Sequence, residues 1–312
     1  MRIVLVGASG FLGRYVLYAL TREGHRCVVL SRAPERCTQT RLLPGVELRQ
    51  ADAGDPASLA TQLRGAGAVI NMAGILNEAG HDGSGFRMVH VGITGAVIAA
   101  CRETGVTRVL HVSALRAGEG KSHYLRTKGE AEALLDAAVD LNVSIFQPSV
   151  IFAPGDAFFN RFAAVLKRLP VLPLACPEAR LQPVFAGDVA ALMSAALEDP
   201  NTWGKRYELG GPHCYTLKEL VQWTARVTDR RRLVVGLPDW ASAALASVME
   251  WVPGKPFSVD NYKSLQTDNT ARRNDFARFG IDPRAIDTVV PDYLAGTVRQ
   301  RRLQSLRRRA RR

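Results

Sequence analysis

Apolar positions in the first half of the chain alternate between short solid runs and stretches with helical spacing. Arg2 to Val6, Gly24 to Leu30, Val46 to Ala51, Ala68 to Asn71 and Arg108 to Ser113 are rich in Val, Ile and Leu, which predicts strands buried on both faces. Between the first two, Phe11, Val16, Leu17 and Leu20 recur at helical spacing, and Phe86 to Thr104 is a longer segment of the same kind. Such repeats predict an α/β fold, a Rossmann-type doubly wound parallel sheet with helices on both faces. Val143 to Gln147 is the expected sixth strand. Beyond it, helical patterns at 158–168, 187–197 and 217–227 alternate with Pro-rich connections and a short strand at 206–210, the pattern of a smaller C-terminal α/β lobe. The expected division is 1–150 for the main domain, 151–298 for a lobe interleaved with its sheet, and 299–312 as a basic tail.

Local signals refine this plan. Asp55 reads as the N-cap of a helix opened by Pro56 and Ser58. The Gly-rich stretch from Gly80 to Gly85 is expected to be a mobile loop. Trp240 to Trp251 is an apolar helix with a tryptophan at each end; a helix packed in the lobe is favoured over an interfacial membrane helix. No apolar run is read as approaching the ~20 residues of a spanning helix. A first strand starting at Arg2 argues against a cleavable signal peptide.

The first strand runs straight into Gly7-x-x-Gly10-x-x-Gly13. In a dinucleotide-binding turn the first glycine permits the bend, the second lets backbone approach a pyrophosphate, and the third lets the helix pack on the sheet. The helix N-terminus then faces the phosphates. Ser31-Arg32 follows the second strand, with Arg36 nearby and no acid before Glu35. A cation there suits a 2′-phosphate, so NADP(H) is preferred over NAD(H), with Arg32 as the clamp. Asp52 stands where it could accept from an adenine amino group. Tyr124 and Lys128 lie one helical turn apart on one face. A cation beside a phenol favours the phenolate, and the pair suits proton transfer coupled to hydride transfer.

The net charge is +12, but eight positive charges fall among the last fourteen residues, from Arg299 to Arg312, with no acid between them. The body is therefore only mildly basic. The tail reads as a fraying helix end or a polybasic contact for anionic lipid, and nucleic acid is disfavoured because no aromatic reading motif accompanies it. Five scattered cysteines without C-x-x-C spacing argue against a disulfide framework or a metal site and for a reducing, cytoplasmic location, peripheral to a membrane if the tail binds lipid.

Gly7-x-x-Gly10-x-x-Gly13, Asn71-Met-Ala-Gly74, Ser113 and Tyr124-x-x-x-Lys128 resemble the extended short-chain dehydrogenase/reductases. Ser122 to Glu130, Gln147 to Phe152 and Gln182 to Asp188 look most like the atypical branch that includes the complex I alpha-subcomplex subunit 9-like family. The resemblance implies a tightly bound NADP(H) touched by Gly7, Ser9, Gly10, Phe11, Leu12, Gly13, Arg32, Asp52, Ala53, Asn71, Ala73, Gly74, Ser113, Tyr124 and Lys128, with Pro148 and Ile151 lining the nicotinamide. It names Tyr124 and Lys128 as the catalytic pair. Competent members place a carbonyl-polarising Ser or Thr where this chain has Leu115, and leucine donates no hydrogen bond. Two readings follow: an oxidoreductase-like protein with weak catalysis on a lipid- or quinone-like substrate, or a nucleotide-stabilised accessory component of a membrane-associated assembly. A redox-sensing regulator and a sugar-nucleotide epimerase are less favoured.

Overall fold

The computed structural model describes residues 1–295, and the basic tail at 299–312 lies outside them. In chain order the strands are β1 (Arg2–Val6), β2 (Arg26–Ser31), β3 (Val46–Gln50), β4 (Ala68–Asn71), β5 (Arg108–Val112), β6 (Asn142–Pro148), β7 (Ile151–Phe152), β8 (Val171–Leu174), β9 (Arg180–Leu181), β10 (Val184–Phe185), β11 (Lys205–Leu209), β12 (Tyr215–Thr216) and β13 (Leu233–Gly236). The α-helices are α1 (Phe11–Arg22), α2 (Thr38–Arg41), α3 (Pro56–Leu63), α4 (Ser84–Arg87), α5 (Ile93–Thr104), α6 (His123–Ala137), α7 (Phe159–Arg168), α8 (Ala186–Leu197), α9 (Leu217–Val227), α10 (Asp239–Met249), α11 (Val259–Leu265) and α12 (Ile286–Leu294).

The described residues form two compact units, one of residues 1–149, 186–209 and 271–282, the other of 150–185, 210–270 and 283–295. The first holds a seven-stranded sheet in the order β11-β6-β5-β4-β1-β2-β3. Its paired strands are all parallel, as buried Val/Ile/Leu runs require. The order reverses between β1 and β4, the switch point at which a crevice opens at the strands' carboxyl ends. Helix α1 buries Gly13, Val16, Leu17 and Leu20 and packs against α8, while α3 packs against α5.

Arg108, on β5, is buried and ties this unit together. Its guanidinium donates to the carbonyl oxygens of Ala196 (2.6 Å), Leu197 (2.8 Å) and Asn142 (2.8 Å) and to the hydroxyls of Ser144 and Thr202, each at 3.0 Å. The α8 carbonyls are among those left without intrahelical partners at a helix end, so a cation there is doubly favourable.

Two expectations need correction. The Gly80–Gly85 segment is pinned rather than mobile, because the Glu78 carboxylate accepts from the amides of Gly83 (2.7 Å) and Gly85 (2.9 Å) and Asp82 caps Ser84. Second, Ser84–Thr104 is one continuous helical stretch of 21 residues, long and apolar enough to cross a membrane by length and composition. Here it is the crossover before β5, packed against α3 and α6, with a π-helical turn at Met88–Gly92.

The second unit is built from helices and two-stranded pairs: β7 with β10, β9 with β12, and β8 with β13. These short strands carry too few residues to show a period of two in the sequence. The Asp156 carboxylate stabilises the start of α7 by accepting from the Phe159 amide at 2.6 Å.

Candidate nucleotide site

The site grows from the end of β1. Gly7 has φ of +76°, the left-handed region that glycine alone enters cheaply. A Cβ there would lie 2.7 Å from the Ala73 amide nitrogen, and one on Gly13 would lie 2.0 Å from the Ala8 carbonyl oxygen. Gly10 differs, because its nearest neighbour would be Gly7 O at 3.5 Å. Two glycines therefore shape the turn, and the third leaves room above it. Gly10 is the N-cap of α1, where no side chain caps the helix and the first turn carries no acid. The amides beside Ser9, Phe11 and Leu12 thus retain donor capacity and a positive dipole end, as a phosphate requires.

At the neighbouring edge, the Ala51 amide bonds Ser31 O at 3.1 Å, and Gln50 Nε2 bonds Arg32 O at 3.4 Å. The ends of β2 and β3, and so Arg32, Asp52 and Ala53, are brought together. Arg32 is exposed, and its guanidinium has no ion-pair partner among the described residues. Asp52 uses Oδ1 to accept from the Gly54 amide at 2.9 Å, a turn-forming bond that leaves the second oxygen outward. Asn71 is buried, with its amide donating to Thr94 Oγ1 (3.2 Å) and its oxygen accepting from Ala73 N (3.1 Å). It sets the course of Ala73 and Gly74 beneath any ligand.

The other wall comes from α6, opened by Ser122, whose hydroxyl accepts from the Leu125 amide at 3.1 Å. Tyr124 and Lys128 share its inner face. Lys128, only 4% exposed, donates to Val112 O at 3.0 Å and lies against Gly74, where a Cβ would sit 3.4 Å from Nζ. Burial lowers the ammonium to about 8, partly offset by Glu132. The half-buried Tyr124 ring meets Phe86 (6.1 Å between centroids) and His90 (5.5 Å) edge to face. Burial pushes its phenol up to about 12. The sequence pairing predicts the opposite direction; desolvation wins here because the ammonium is directed to Val112 O.

His90 is a residue the sequence reading missed. Its Nε2 accepts from the Ile75 amide at 3.3 Å, so Nδ1 carries the proton and donates to Thr127 Oγ1 at 2.8 Å, and that hydroxyl donates onward to His123 O. Burial, with Lys128 nearby, holds the imidazole down at about 3. A neutral ring of fixed tautomer thus buttresses the tyrosine. Its signal was a histidine on the apolar face of a long helix, drawn inward by the π turn, and that turn is not visible as a sequence period.

His111 on β5 and Ser113, just past the end of that strand, are both buried. Among the described residues, the Ser113 hydroxyl and both His111 ring nitrogens have no hydrogen-bond partner. Orphaned polar atoms of this kind await a water or a ligand, and together with the glycine cradle and the Lys128 ammonium they fit a dinucleotide. Pro148 ends β6 and accepts from the Leu115 amide at 3.1 Å; Leu115 is fully buried. Ile151 belongs to the second unit, on β7.

An NAD(P)H-binding family profile matches residues 7–158. Subunit 9 of the NADH dehydrogenase [ubiquinone] 1 alpha subcomplex from Mus musculus is 31% identical over 278 residues, 86% of this chain and 70% of that protein. The chain belongs to the NAD(P)H-binding family that contains these subunits. The Dictyostelium discoideum subunit is 31% identical over 221 residues, and the chain spans 60% of its length. Another family member, a ceramide reductase from Caulobacter vibrioides, is 30% identical over 76% of this chain and 74% of that one. In fold the chain is similar to a nucleoside-diphosphate-sugar epimerase from Staphylococcus aureus, with a TM-score of 0.72 at 18% identity, covering 92% of this chain and 98% of that one.

Proposed function

We propose that this chain holds NADP(H) in the crevice between the β1 turn, the ends of β2 and β3, and α6, and that it is an oxidoreductase-like protein of low catalytic power. The observation that carries this reading is the Lys128 ammonium, buried against Gly74 one helical turn from Tyr124. Burying a charge with one hydrogen bond is a cost that a ribose hydroxyl at that place would offset. Arg32, exposed and with no ion-pair partner among the described residues, supports the phosphorylated cofactor, since a guanidinium takes a 2′-phosphate bidentately.

When bound, the nicotinamide would supply or accept hydride. Tyr124, with its phenol near 12, stays protonated at neutral pH, so it donates a proton rather than removing one, which suits carbonyl reduction. The Phe86 and His90 rings fix its orientation. Leu115 leaves the tyrosine without the second donor that would polarise a carbonyl, and this weakens transition-state stabilisation. A lipid- or quinone-like substrate is suggested by the ceramide reductase and ubiquinone-linked relatives.

The buried Leu115 also favours a second reading, in which the nucleotide is a structural ligand of a subunit in a membrane-associated assembly and stabilises the fold by binding only its native state. One experiment tests both. The chain is purified without added cofactor, its nucleotide identified by mass spectrometry, and NADPH oxidation followed with a short-chain ubiquinone and a long-chain ketone. Turnover that falls on the order of 10²-fold in Tyr124→Phe supports the enzyme; tight NADPH with no turnover supports the structural role. Absence of any bound or bindable nucleotide rejects both.

A further inference from the structure

Helix α10 is inverted with respect to the usual rule. The residues it buries are small, Ser242 and Ala246, and Ser242 holds it in place by accepting from the Cys176 amide at 3.1 Å. Trp240, 75% exposed, and Val248, 63% exposed, point outward on the helix, and Trp251, just past its end, is 81% exposed. With Ala244 between them, these positions are separated by three or four residues and form one stripe. The sequence carries no charge from Trp240 to Met249.

The β8/β13 pair, in the same unit, repeats the pattern. Leu233 pairs with Val171 and Val235 with Pro173, and all four are exposed while Leu172, Leu174 and Val234 turn inward. Leu233 is 61% exposed. Both strands are entered through cations: Lys167 and Arg168 end α7 just before β8, and Arg230, Arg231 and Arg232 lead directly into β13. Arg232 is fixed by donating to Leu166 O at 2.9 Å. An open cleft of about 510 Å³ is lined by Arg226 and these three arginines, with Asp229 as its one acid.

We propose that the α10 stripe and the outer face of the β8/β13 pair form a docking surface for a bilayer containing anionic lipid. Tryptophans at both ends of an apolar strip suit the boundary between headgroups and acyl chains, where the ring is buried and its N–H stays wet. Cations at the entry to the neighbouring strands meet anionic headgroups, an attraction screened by salt. A helix that presents its aromatic face outward while its polar ends stay solvated lies in the interface and does not span it.

The test is co-sedimentation of the full chain with vesicles of phosphatidylcholine alone and of phosphatidylcholine mixed with phosphatidylglycerol. The chain should bind the mixed vesicles more tightly. Binding should fall on the order of tenfold or more in the double variant Trp240→Ser/Trp251→Ser. In Arg230→Gln/Arg231→Gln binding to the mixed vesicles should fall on the order of tenfold, with a weaker salt dependence, while binding to phosphatidylcholine is unchanged. The tryptophans and Arg231 are exposed and Arg230 is half-buried, and both variants should melt at the temperature of the parent. Three results overturn the assignment: no binding by the parent, parent-like binding by the tryptophan variant, or a tryptophan-dependent dimer in sedimentation equilibrium that persists without lipid.

Discussion

Lys128 couples stability to binding at a single residue. In the unfolded chain it titrates near 10.5, and in the fold it is lowered to about 8. Between those values the unfolded chain binds more protons, so stability rises with pH across that window, and below it the buried ammonium is a standing cost. Lys128→Met should therefore stabilise the nucleotide-free protein by roughly 1–3 kcal/mol near neutral pH, after the lost bond to Val112 O is allowed for. The gain should shrink as the parent discharges between about 8 and 10.5. Urea unfolding at the two ends of the window measures it, and the same variant should bind NADPH more weakly. A variant less stable than the parent at neutral pH would mean that the ammonium is well compensated without ligand. His111 gives a complementary acid-side test. Burial holds it neutral well below 6.5, so the parent loses stability as pH falls through 6.5 and the unfolded histidine takes up a proton. His111→Leu removes no hydrogen bond and should flatten that slope in thermal melts.

At the scale of elements, the glycines of the β1–α1 turn separate fold from function. Gly13→Ala drives a Cβ to 2.0 Å from Ala8 O and should cost several kcal/mol, on the order of the larger single-residue losses. Gly10→Ala meets nothing closer than 3.5 Å, so it should keep the parent's melting temperature yet lose nucleotide affinity, because the methyl group occupies the approach to the pyrophosphate. Calorimetric melting and a fluorescence titration with NADPH distinguish the two. Arg108→Ala removes its hydrogen bonds to the Ala196, Leu197 and Asn142 carbonyls and to the Ser144 and Thr202 hydroxyls and should destabilise by roughly 2–4 kcal/mol, read from chemical denaturation. The central sheet was legible because its strands are solid apolar runs and its helices have clean 3.6 spacing; α9 at Leu217–Val227 matches its pattern end to end. What escaped was set by contacts distant in sequence. Glu78 pins a loop that its glycines alone would leave mobile, the π turn carries His90 inward, and the burial around Tyr124 reverses the direction expected from its lysine. The outward tryptophans of α10 were equally hidden, since periodicity reports an apolar face but not which way it turns.

For the molecule as a whole, the family relationship and the parallel sheet establish an NAD(P)H-binding protein, and the account adds a cofactor preference. That preference rests on Arg32 at the end of β2, exposed and without an ion-pair partner among the described residues. Isothermal titration of nucleotide-stripped protein with NADPH and NADH, for the parent and for Arg32→Ala, is the most direct test. The account predicts that the parent prefers NADPH on the order of tenfold or more, as a charge-assisted bidentate contact allows, and that the variant loses this preference while keeping its affinity for NADH. Equal affinity of the parent for the two nucleotides, or a preference unchanged in Arg32→Ala, would contradict it.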